Sequence, residues 1–265
     1  MSQNINSLFQ SAADEGDISQ ASLHVLTVTV PDSGAQIQAA MGMNVNDVKA
    51  GSVVLVNLMP DDSGSIRFAG NAQLMRDGHN LVIDALRGTK QRNNILLLTR
   101  YLNGYILNPY TDIDDAKYMD THNYDPNMGT PLYDQSVVFF GSVLAKAKEF
   151  CDNGIPVTTI SLIMSDGADQ HSVSARAHHV SLIVDDMLKQ ETHIIAAMGI
   201  EDRSGGSVNF REIFKEMGIR DEWILTPGNS QGEIRKAFNL FSQSAVQASQ
   251  GAQSFSKTAM GGFGN

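Results

Sequence analysis

The sequence predicts an α/β fold in which helices cover both faces of a doubly wound, mostly parallel, open sheet. Short runs rich in apolar and β-branched residues alternate with longer segments of helical periodicity along most of the chain. Several of these runs are continuously apolar, which is typical of strands covered on both faces. Strands that alternate with helices in this way indicate parallel crossover units.

Seven segments carry strand signals, and most of the stretches between them carry helix signals. The predicted strands are Leu23–Val30, Ser52–Met59, Asn94–Leu102, Asn103–Tyr110, Thr158–Met164, His193–Ile200 and Glu222–Pro227. The predicted helices cover Phe68–Leu86, Leu132–Phe150, Val173–Lys189, Phe210–Met217 and a last amphipathic segment containing Ile234 and Ala248. Asn103-Gly104 predicts a tight turn between two adjoining strands.

The pattern supports a single domain over about residues 21–241. Residues 1–20 read as a polar N-terminal segment, and residues 242–265 as the end of the last helix followed by a flexible tail rich in Ser, Gln and Gly. Phe255, Met260 and Phe263 are apolar residues in that polar tail, so a docking segment is the alternative interpretation.

Composition restricts the class of protein. The chain has 265 residues, of which 42% are hydrophobic, and this is enough for a substantial core. A net charge of −10 argues against general attraction to nucleic acid or to an anionic membrane. The single cysteine excludes an internal disulfide framework. Without a signal-like N-terminus or an apolar run of about 20 residues, we expect a soluble, cytoplasmic protein of bacterial type.

Polar residues follow two of the predicted central strands. Asp61-Asp62-Ser63-Gly64-Ser65 follows Ser52–Met59, and Ser165-Asp166-Gly167 follows Thr158–Met164. Met128-Gly129-Thr130 stands directly before a predicted helix. Since ligands of open α/β sheets bind at the carboxyl ends of the strands, the three loops should converge. Their side chains offer oxygen ligands, which suit Mg²⁺, Mn²⁺ or Ca²⁺.

The motifs D-D-S-G-S, G-T-P-L-Y-D and M-S-D-G, in this order, closely resemble those of the von Willebrand factor A (VWA) domain over roughly residues 52–227. That family has a Rossmann-like fold and carries a metal-ion-dependent adhesion site (MIDAS), found also in integrin I domains. The resemblance implies a VWA domain over residues 21–241. Ile66 departs from the methionine of many relatives at this position, and this change should leave the ligands intact.

The resemblance also implies roles for five residues. Ser63 and Ser65 would coordinate the ion through their hydroxyls, and Thr130 would bind it directly or through water. Asp61 and Asp166 would hold the water molecules around the ion. Mg²⁺ is the expected ion, with Mn²⁺ or Ca²⁺ as alternatives. An Asp or Glu of a partner protein would fill the open coordination position.

The expected function is therefore divalent-cation-dependent protein binding in an adaptor or regulatory role, without enzymatic activity. The chain resembles small stand-alone bacterial VWA proteins, which often work beside AAA+ ATPases, so such an ATPase is a candidate partner. This step depends on family analogy rather than on any residue.

Three alternatives stay open. Ser65 and Thr130 could only cap the helices that follow, and Asp61 and Asp62 could only satisfy a turn. A metal-dependent hydrolase or phosphatase could use Asp61 or Asp62, although the sequence contains neither a G-x-S-x-G elbow nor a phosphate-binding G-x-x-x-x-G-K-[ST] loop. The fold could also be a scaffold whose site is not used.

Some other residues have a weaker connection with function. Residues 108–129 contain five aspartates with interleaved tyrosines, and they are interpreted as a partner-recognition loop, a solvated loop or, less simply, a second calcium site.

His171, His178 and His179 could suggest zinc, but a solvated helix start explains them better. His79 lies on an apolar helix face, as a hydrogen-bonded core histidine does.

Overall fold

The computed structural model describes residues 4–200, 208–228, 230–250 and 262–263. The strands are β1 Val53–Pro60, β2 Ile95–Arg100, β3 Ile106–Asp112, β4 Val157–Ser165, β5 His193–Gly199 and β6 Ile224–Leu225. The α-helices are α1 Ile5–Asp14, α2 Gln20–His24, α3 Ser33–Ala40, α4 Gly64–Phe68, α5 Ala72–Arg87, α6 Leu132–Asp152, α7 Ala177–Lys189, α8 Phe210–Glu216 and α9 Gln231–Ser249. A π-helical segment covers Val25–Thr29, and short 3-10 turns cover Val45–Asp47, Arg92–Asn94, Ile113–Asp115 and Asp221–Trp223.

The described residues form one six-stranded sheet with the order β3-β2-β1-β4-β5-β6. All neighbouring strands are parallel except β2 and β3, which form the predicted antiparallel pair around the Asn103-Gly104 turn. Gly104 has a φ of 95°, a conformation that glycine adopts without steric cost. The predicted doubly wound, mostly parallel open sheet is confirmed.

Helices cover both faces of this sheet. Helices α5 and α9 pack against each other, and α9 contacts β1 and β4. Helices α6 and α7 pack together, and α6 contacts the same two strands. Every residue of β1, β2 and β5 is buried, as expected for strands covered on both sides.

The prediction of a strand at Leu23–Val30 is wrong. These residues continue from α2 into the π-helical segment, and Val25 and Leu26 are buried while Val28 is exposed. Ser19 begins the helix because its side chain accepts a hydrogen bond from the Ser22 backbone N–H. The run is rich in β-branched residues, but packing against α1, α3 and α6 overrides their strand preference.

The N-terminal residues differ from the polar segment expected before the domain. Helix α1 buries Ile5, Leu8 and Phe9 in the same core as the sheet, and it contacts α6. The three- and four-residue spacing of these side chains makes one narrow apolar stripe. Because polar residues lie between these side chains in the sequence, composition alone makes the segment look polar.

Within the described residues, no helix is both long enough and apolar enough to cross a membrane. Helix α9 runs through the predicted last amphipathic segment and ends at Ser249. Phe255 and Met260, two of the three apolar residues proposed as tail anchors, lie outside the described residues.

Candidate functional site

The carboxyl ends of β1 and β4 bring the first two predicted loops together. The two strands are parallel neighbours, with Pro60 paired to Met164, so the residues that follow them meet at the same edge. The Ser165 hydroxyl, at the end of β4, donates a hydrogen bond of 2.7 Å to Oδ2 of Asp61. Asp61 is therefore held by the neighbouring strand as well as by its own loop.

The two serines of the first loop continue this connection to Asp166. The Ser63 backbone N–H donates to Oδ1 of Asp61 at 2.8 Å. The Ser63 and Ser65 hydroxyl oxygens are 2.9 Å apart, and the Ser65 hydroxyl donates to Oδ1 of Asp166 at 2.6 Å. Four of the five predicted site residues thus form one hydrogen-bonded chain.

Backbone contacts bring the third loop to the same place. The Gly64 N–H donates to the Met128 carbonyl at 3.0 Å, and the Met128 N–H donates to the Asp62 carbonyl at 3.0 Å. A Cβ placed on Gly167 would lie 4.0 Å from Oγ1 of Thr130, so this threonine borders the Asp166 loop. The predicted residues therefore converge, while their role as ion ligands stays a prediction.

Burial gives the site its electrostatic character. Asp61 is fully buried and Asp166 is 3% exposed. Burial raises the pKa of Asp61, the neighbouring Asp62 charge adds to the rise, and hydrogen bonds from Ser63 and Ser165 oppose it. The charged form of a buried carboxylate is costly, and a nearby cation favours that form. Hydroxyl and carboxylate oxygens are also the donors that hard divalent cations prefer, so these residues fit such an ion.

Asp62 has a different environment from Asp61. Its Oδ1 accepts hydrogen bonds from the Asn103 backbone N–H at 3.0 Å and from the Asn103 side-chain amide at 2.9 Å. The same amide donates to the Gly129 carbonyl at 2.6 Å. Burial raises the pKa of Asp62, and the bonds from Asn103 oppose the rise. Asp62 therefore joins the β2–β3 turn to the site loops.

His171 positions the threonine, a role that the sequence interpretation missed. Its Nδ1 accepts a hydrogen bond of 2.8 Å from the Thr130 backbone N–H. A Cβ on Gly129 would lie only 2.9 Å from the His171 ring, so this contact favours glycine. The loop that carries His171 is tied to α6, where the Asp134 carboxylate accepts the N–H of Val173 at 2.9 Å.

Tyr124, one of the tyrosines interleaved with the aspartates of residues 108–129, is a second supporting residue. It is fully buried, and its hydroxyl donates to the Asp61 backbone carbonyl. Tyr110, also in the acidic segment, is buried and donates to Oδ1 of Asn57 at 2.6 Å. The tyrosines interleaved with the aspartates were the signal for this packing. The acidic segment is thus anchored to the sheet and to the site.

Helix capping does not explain the two hydroxyl residues. Ser63, not Ser65, precedes α4, and its side chain makes no capping hydrogen bond. Pro131, not Thr130, occupies the position before α6, again without a side-chain cap. Among the described residues, no group of three or more His, Cys, Asp and Glu side chains is arranged to hold a metal, which leaves the zinc interpretation without support. Ser63, Ser65 and Thr130 offer hydroxyl oxygens and do not belong to these four residue types.

His79 has the environment predicted for a core histidine. It is fully buried on α5, and its Nε2 lies 2.9 Å from the Thr99 hydroxyl on β2.

Comparison with solved structures identifies the fold. No protein-family model and no curated protein matches the sequence. The pilus adhesin SpaC from Lactobacillus rhamnosus GG, in an open conformation, matches with a TM-score of 0.55 and 12% identity over 74% of this chain and 30% of SpaC. The vWF domain of the type V pili tip protein Mfa5 from Porphyromonas gingivalis matches with a TM-score of 0.51 and 10% identity over 76% of this chain and 97% of that one. The chain therefore has a VWA-like fold.

Proposed function

We propose that this edge of the sheet holds a divalent cation and that the protein uses it to bind a carboxylate of a protein partner. The hydrogen-bonded chain from Asp61 through Ser63 and Ser65 to Asp166 is the observation that carries the proposal. Before any ligand is added, the Ser65 hydroxyl lies within hydrogen-bonding distance of both the Ser63 hydroxyl and the Asp166 carboxylate, which belong to two different loops. Such preorganisation lowers the cost of binding.

Each residue has a distinct task in the proposed site. Ser63, Ser65 and Thr130 would hold the ion, while Asp61 and Asp166 would hold its water molecules. The ion, when bound, would supply an electrophilic position that a partner Asp or Glu can occupy. Mg²⁺ is the ion that we propose, and Mn²⁺ or Ca²⁺ would serve the same donors.

The charge of the molecule explains why such binding would depend on a cation. The chain carries a net charge of −10, and Asp61, Asp62 and Asp166 lie together at this edge. An approaching carboxylate would therefore meet like charge, which is unfavourable unless a cation intervenes.

Apolar side chains on the site loops indicate the surroundings of that carboxylate. Phe68, Val173 and Met128 are 89%, 84% and 54% exposed. The Phe68 ring lies 3.5 Å from the position of a Cβ on Gly64, and Met128 pairs with Ser63. Large apolar side chains exposed near a polar centre are typical of interaction surfaces. We therefore propose a partner segment whose acid is flanked by apolar residues.

The setting of this function comes from analogy. Two similar structures belong to pilus proteins, one of them an adhesin by name, which supports binding of another protein as the general activity. The resemblance to stand-alone bacterial domains favours an adaptor or regulatory version, with an AAA+ ATPase as a candidate partner. Both versions would use the same ion-bridged contact.

A hydrolase is the second candidate, and the environment of His171 weighs against it. The Nδ1 atom of His171 accepts the Thr130 backbone N–H, and the Ser65 hydroxyl donates to Asp166. Neither contact is the serine–histidine pair that activates a nucleophile. Turnover of a generic phosphoester by the wild type but not by Asp61→Ala would favour the hydrolase.

Water-proton relaxation with Mn²⁺ tests the proposed function. Mn²⁺ added to the chelator-treated protein should bind and enhance relaxation, because the site keeps a position open to water. Acetate, a minimal carboxylate, should reduce the enhancement by replacing that water. Ser63→Ala and Ser65→Ala should weaken Mn²⁺ binding, whereas Ser7→Ala, at an exposed hydroxyl on α1, should not. Mn²⁺ binding that the site variants leave unchanged would contradict the proposal.

A further inference from the structure

The far edge of the sheet carries a contact that is separate from the candidate metal site. Strand β6 stands last in the sheet formed by the described residues, and Trp223 immediately precedes it. Trp223 is buried, and Phe263, near the end of the chain, packs against it. The two ring centroids are 4.8 Å apart at an interplanar angle of 68°, an edge-to-face arrangement.

Two backbone features make this contact specific. The Phe263 N–H donates to the Glu222 carbonyl at 3.0 Å. Gly262 has a φ of 62°, and a Cβ at this position would lie 2.6 Å from Cβ and from the carbonyl oxygen of Glu222. The contact therefore requires glycine followed by a residue with an aromatic ring.

The receptor side is fixed by charged residues of α8. Asp221 accepts a hydrogen bond from Nη1 of Arg211 at 2.7 Å and lies 2.8 Å from Nζ of Lys215. These contacts hold the turn that presents the Glu222 carbonyl and the Trp223 ring. Because neither group comes from the C-terminal segment, the receptor should persist without its occupant.

We propose that Trp223 and the Glu222 backbone form a binding site for a glycine–phenylalanine pair, and that Gly262-Phe263 of the same chain is its occupant. Gly262-Phe263 then acts as a docked element on the turn that precedes β6. Because the described contact joins the Phe263 N–H to the Glu222 carbonyl and the Phe263 ring to Trp223, a peptide of the same sequence can fill it when the chain's own pair is absent.

Tryptophan fluorescence tests this site directly, because Trp223 is the only tryptophan of the 265-residue chain. In the full-length protein, Phe263→Ala should shift the emission to the red and increase quenching by acrylamide, since one face of the indole loses its cover. Gly262→Ala should have the same effect while keeping the phenylalanine. Val28→Ala is the control, at an exposed apolar side chain of the π-helical segment, and it should leave the emission unchanged.

Peptide addition completes the test. A peptide with the sequence of residues 258–265 should return the emission of Phe263→Ala toward that of the wild type, and the same peptide with alanine for phenylalanine should bind about tenfold more weakly or not at all. Circular dichroism of each variant establishes that it is folded. Wild-type emission in both folded variants, or no response of Phe263→Ala to the peptide, would overturn the proposal. Emission that changes with wild-type concentration would show that the occupant comes from a second copy and would overturn the assignment to the same chain.

Discussion

The interior of the sheet and its carboxyl edge both bury titratable side chains, but burial affects them in opposite ways. His79 and His193 lie in the interior, fully or almost fully buried, and burial lowers the pKa of each to about 4. Asp61 lies at the edge, and burial raises its pKa. At neutral pH the histidines are uncharged, and each lies near the hydroxyl of a threonine on a neighbouring strand, at 2.9 Å and 2.7 Å.

This difference distinguishes buried groups that need only hydrogen-bond partners from buried groups that a cation would stabilise. A histidine avoids the cost of burial by losing its proton, and its neutral ring then needs only hydrogen-bond partners. A buried carboxylate is charged at neutral pH unless it gains a proton, and hydrogen-bond donors or a nearby positive charge lower the cost of that charge. The interior is therefore satisfied by hydrogen bonds within the chain, whereas a cation would stabilise the charged form of Asp61 at the edge. The predictions that follow test this contrast from the largest expected effect to the smallest.

Acid should destabilise the protein through its interior histidines. The folded-state pKa of about 4 lies below the ordinary value of 6.5, so the folded state binds fewer protons than the unfolded state between these values. The contribution of these histidines to the free energy of unfolding is then fully present above pH 6.5, and it is lost as the pH falls toward 4. The expected loss at pH 5 is about 2 kcal/mol for each histidine. Urea unfolding at pH 7 and at pH 5 measures it.

Two variants separate the contribution of the histidines to this pH dependence from that of the carboxylates. His79→Gln and His193→Asn replace the titrating ring with an amide and should each show a smaller loss between pH 7 and pH 5. Asp61 acts in the opposite direction, because a raised carboxyl pKa means that acidification relieves its charge. An unchanged pH dependence in both histidine variants would show that the interior is not the acid-sensitive region.

Removing the hydrogen-bond acceptor of His171 should weaken the binding of a cation by Thr130. His171→Ala leaves the Thr130 N–H without its 2.8 Å partner, and this should reduce Mn²⁺ affinity about fivefold, as expected for a loss of about 1 kcal/mol. His171→Asn retains a side-chain acceptor and should recover part of the affinity. Calorimetric titration with Mn²⁺ provides the measurement. Equal affinities in wild type and His171→Ala would remove His171 from the site.

Two glycines of the site loops should respond differently to an added methyl group. Gly129→Ala would press its Cβ against the His171 ring at 2.9 Å, and we expect the free energy of unfolding to fall by about 1 kcal/mol. The nearest contact of Gly167→Ala would be Thr130 at 3.9 Å, an ordinary distance, so its stability should change less. Thermal unfolding of both variants checks the order. A larger loss in Gly167→Ala would contradict the packing described here.

Local patterns predicted most of the sheet, and motifs with a family resemblance predicted loops that the structure brings together, while the role of their residues as ion ligands stays a prediction. The continuous apolar runs of β1, β4 and β5 predicted strands that the structure confirms. Motifs at the ends of these strands needed only the parallel topology to be brought together. The prediction of a strand at Leu23–Val30 failed because packing against α1, α3 and α6, rather than the intrinsic preference of the residues, decides the conformation of this segment.

The supporting contacts of the site depend on residues far apart in sequence. His171 reaches Thr130 across 41 residues, Asn103 reaches Asp62 across 41, and Tyr124 reaches Asp61 across 63. The interleaved tyrosines indicated that their segment packs, but no local pattern identifies the partner that Tyr124, His171 or Asn103 contacts. These roles therefore became visible only with the fold.

Thermal unfolding with and without Mg²⁺ tests the central claim most directly. After chelation, the wild type, Asp61→Asn and Asp62→Asn are compared, because the two aspartates are sequence neighbours with different surroundings. Binding to the folded state should raise the melting temperature of the wild type and of Asp62→Asn with increasing Mg²⁺, but not that of Asp61→Asn. No rise in the wild type, or an equal rise in all three proteins, would contradict a cation site at this edge.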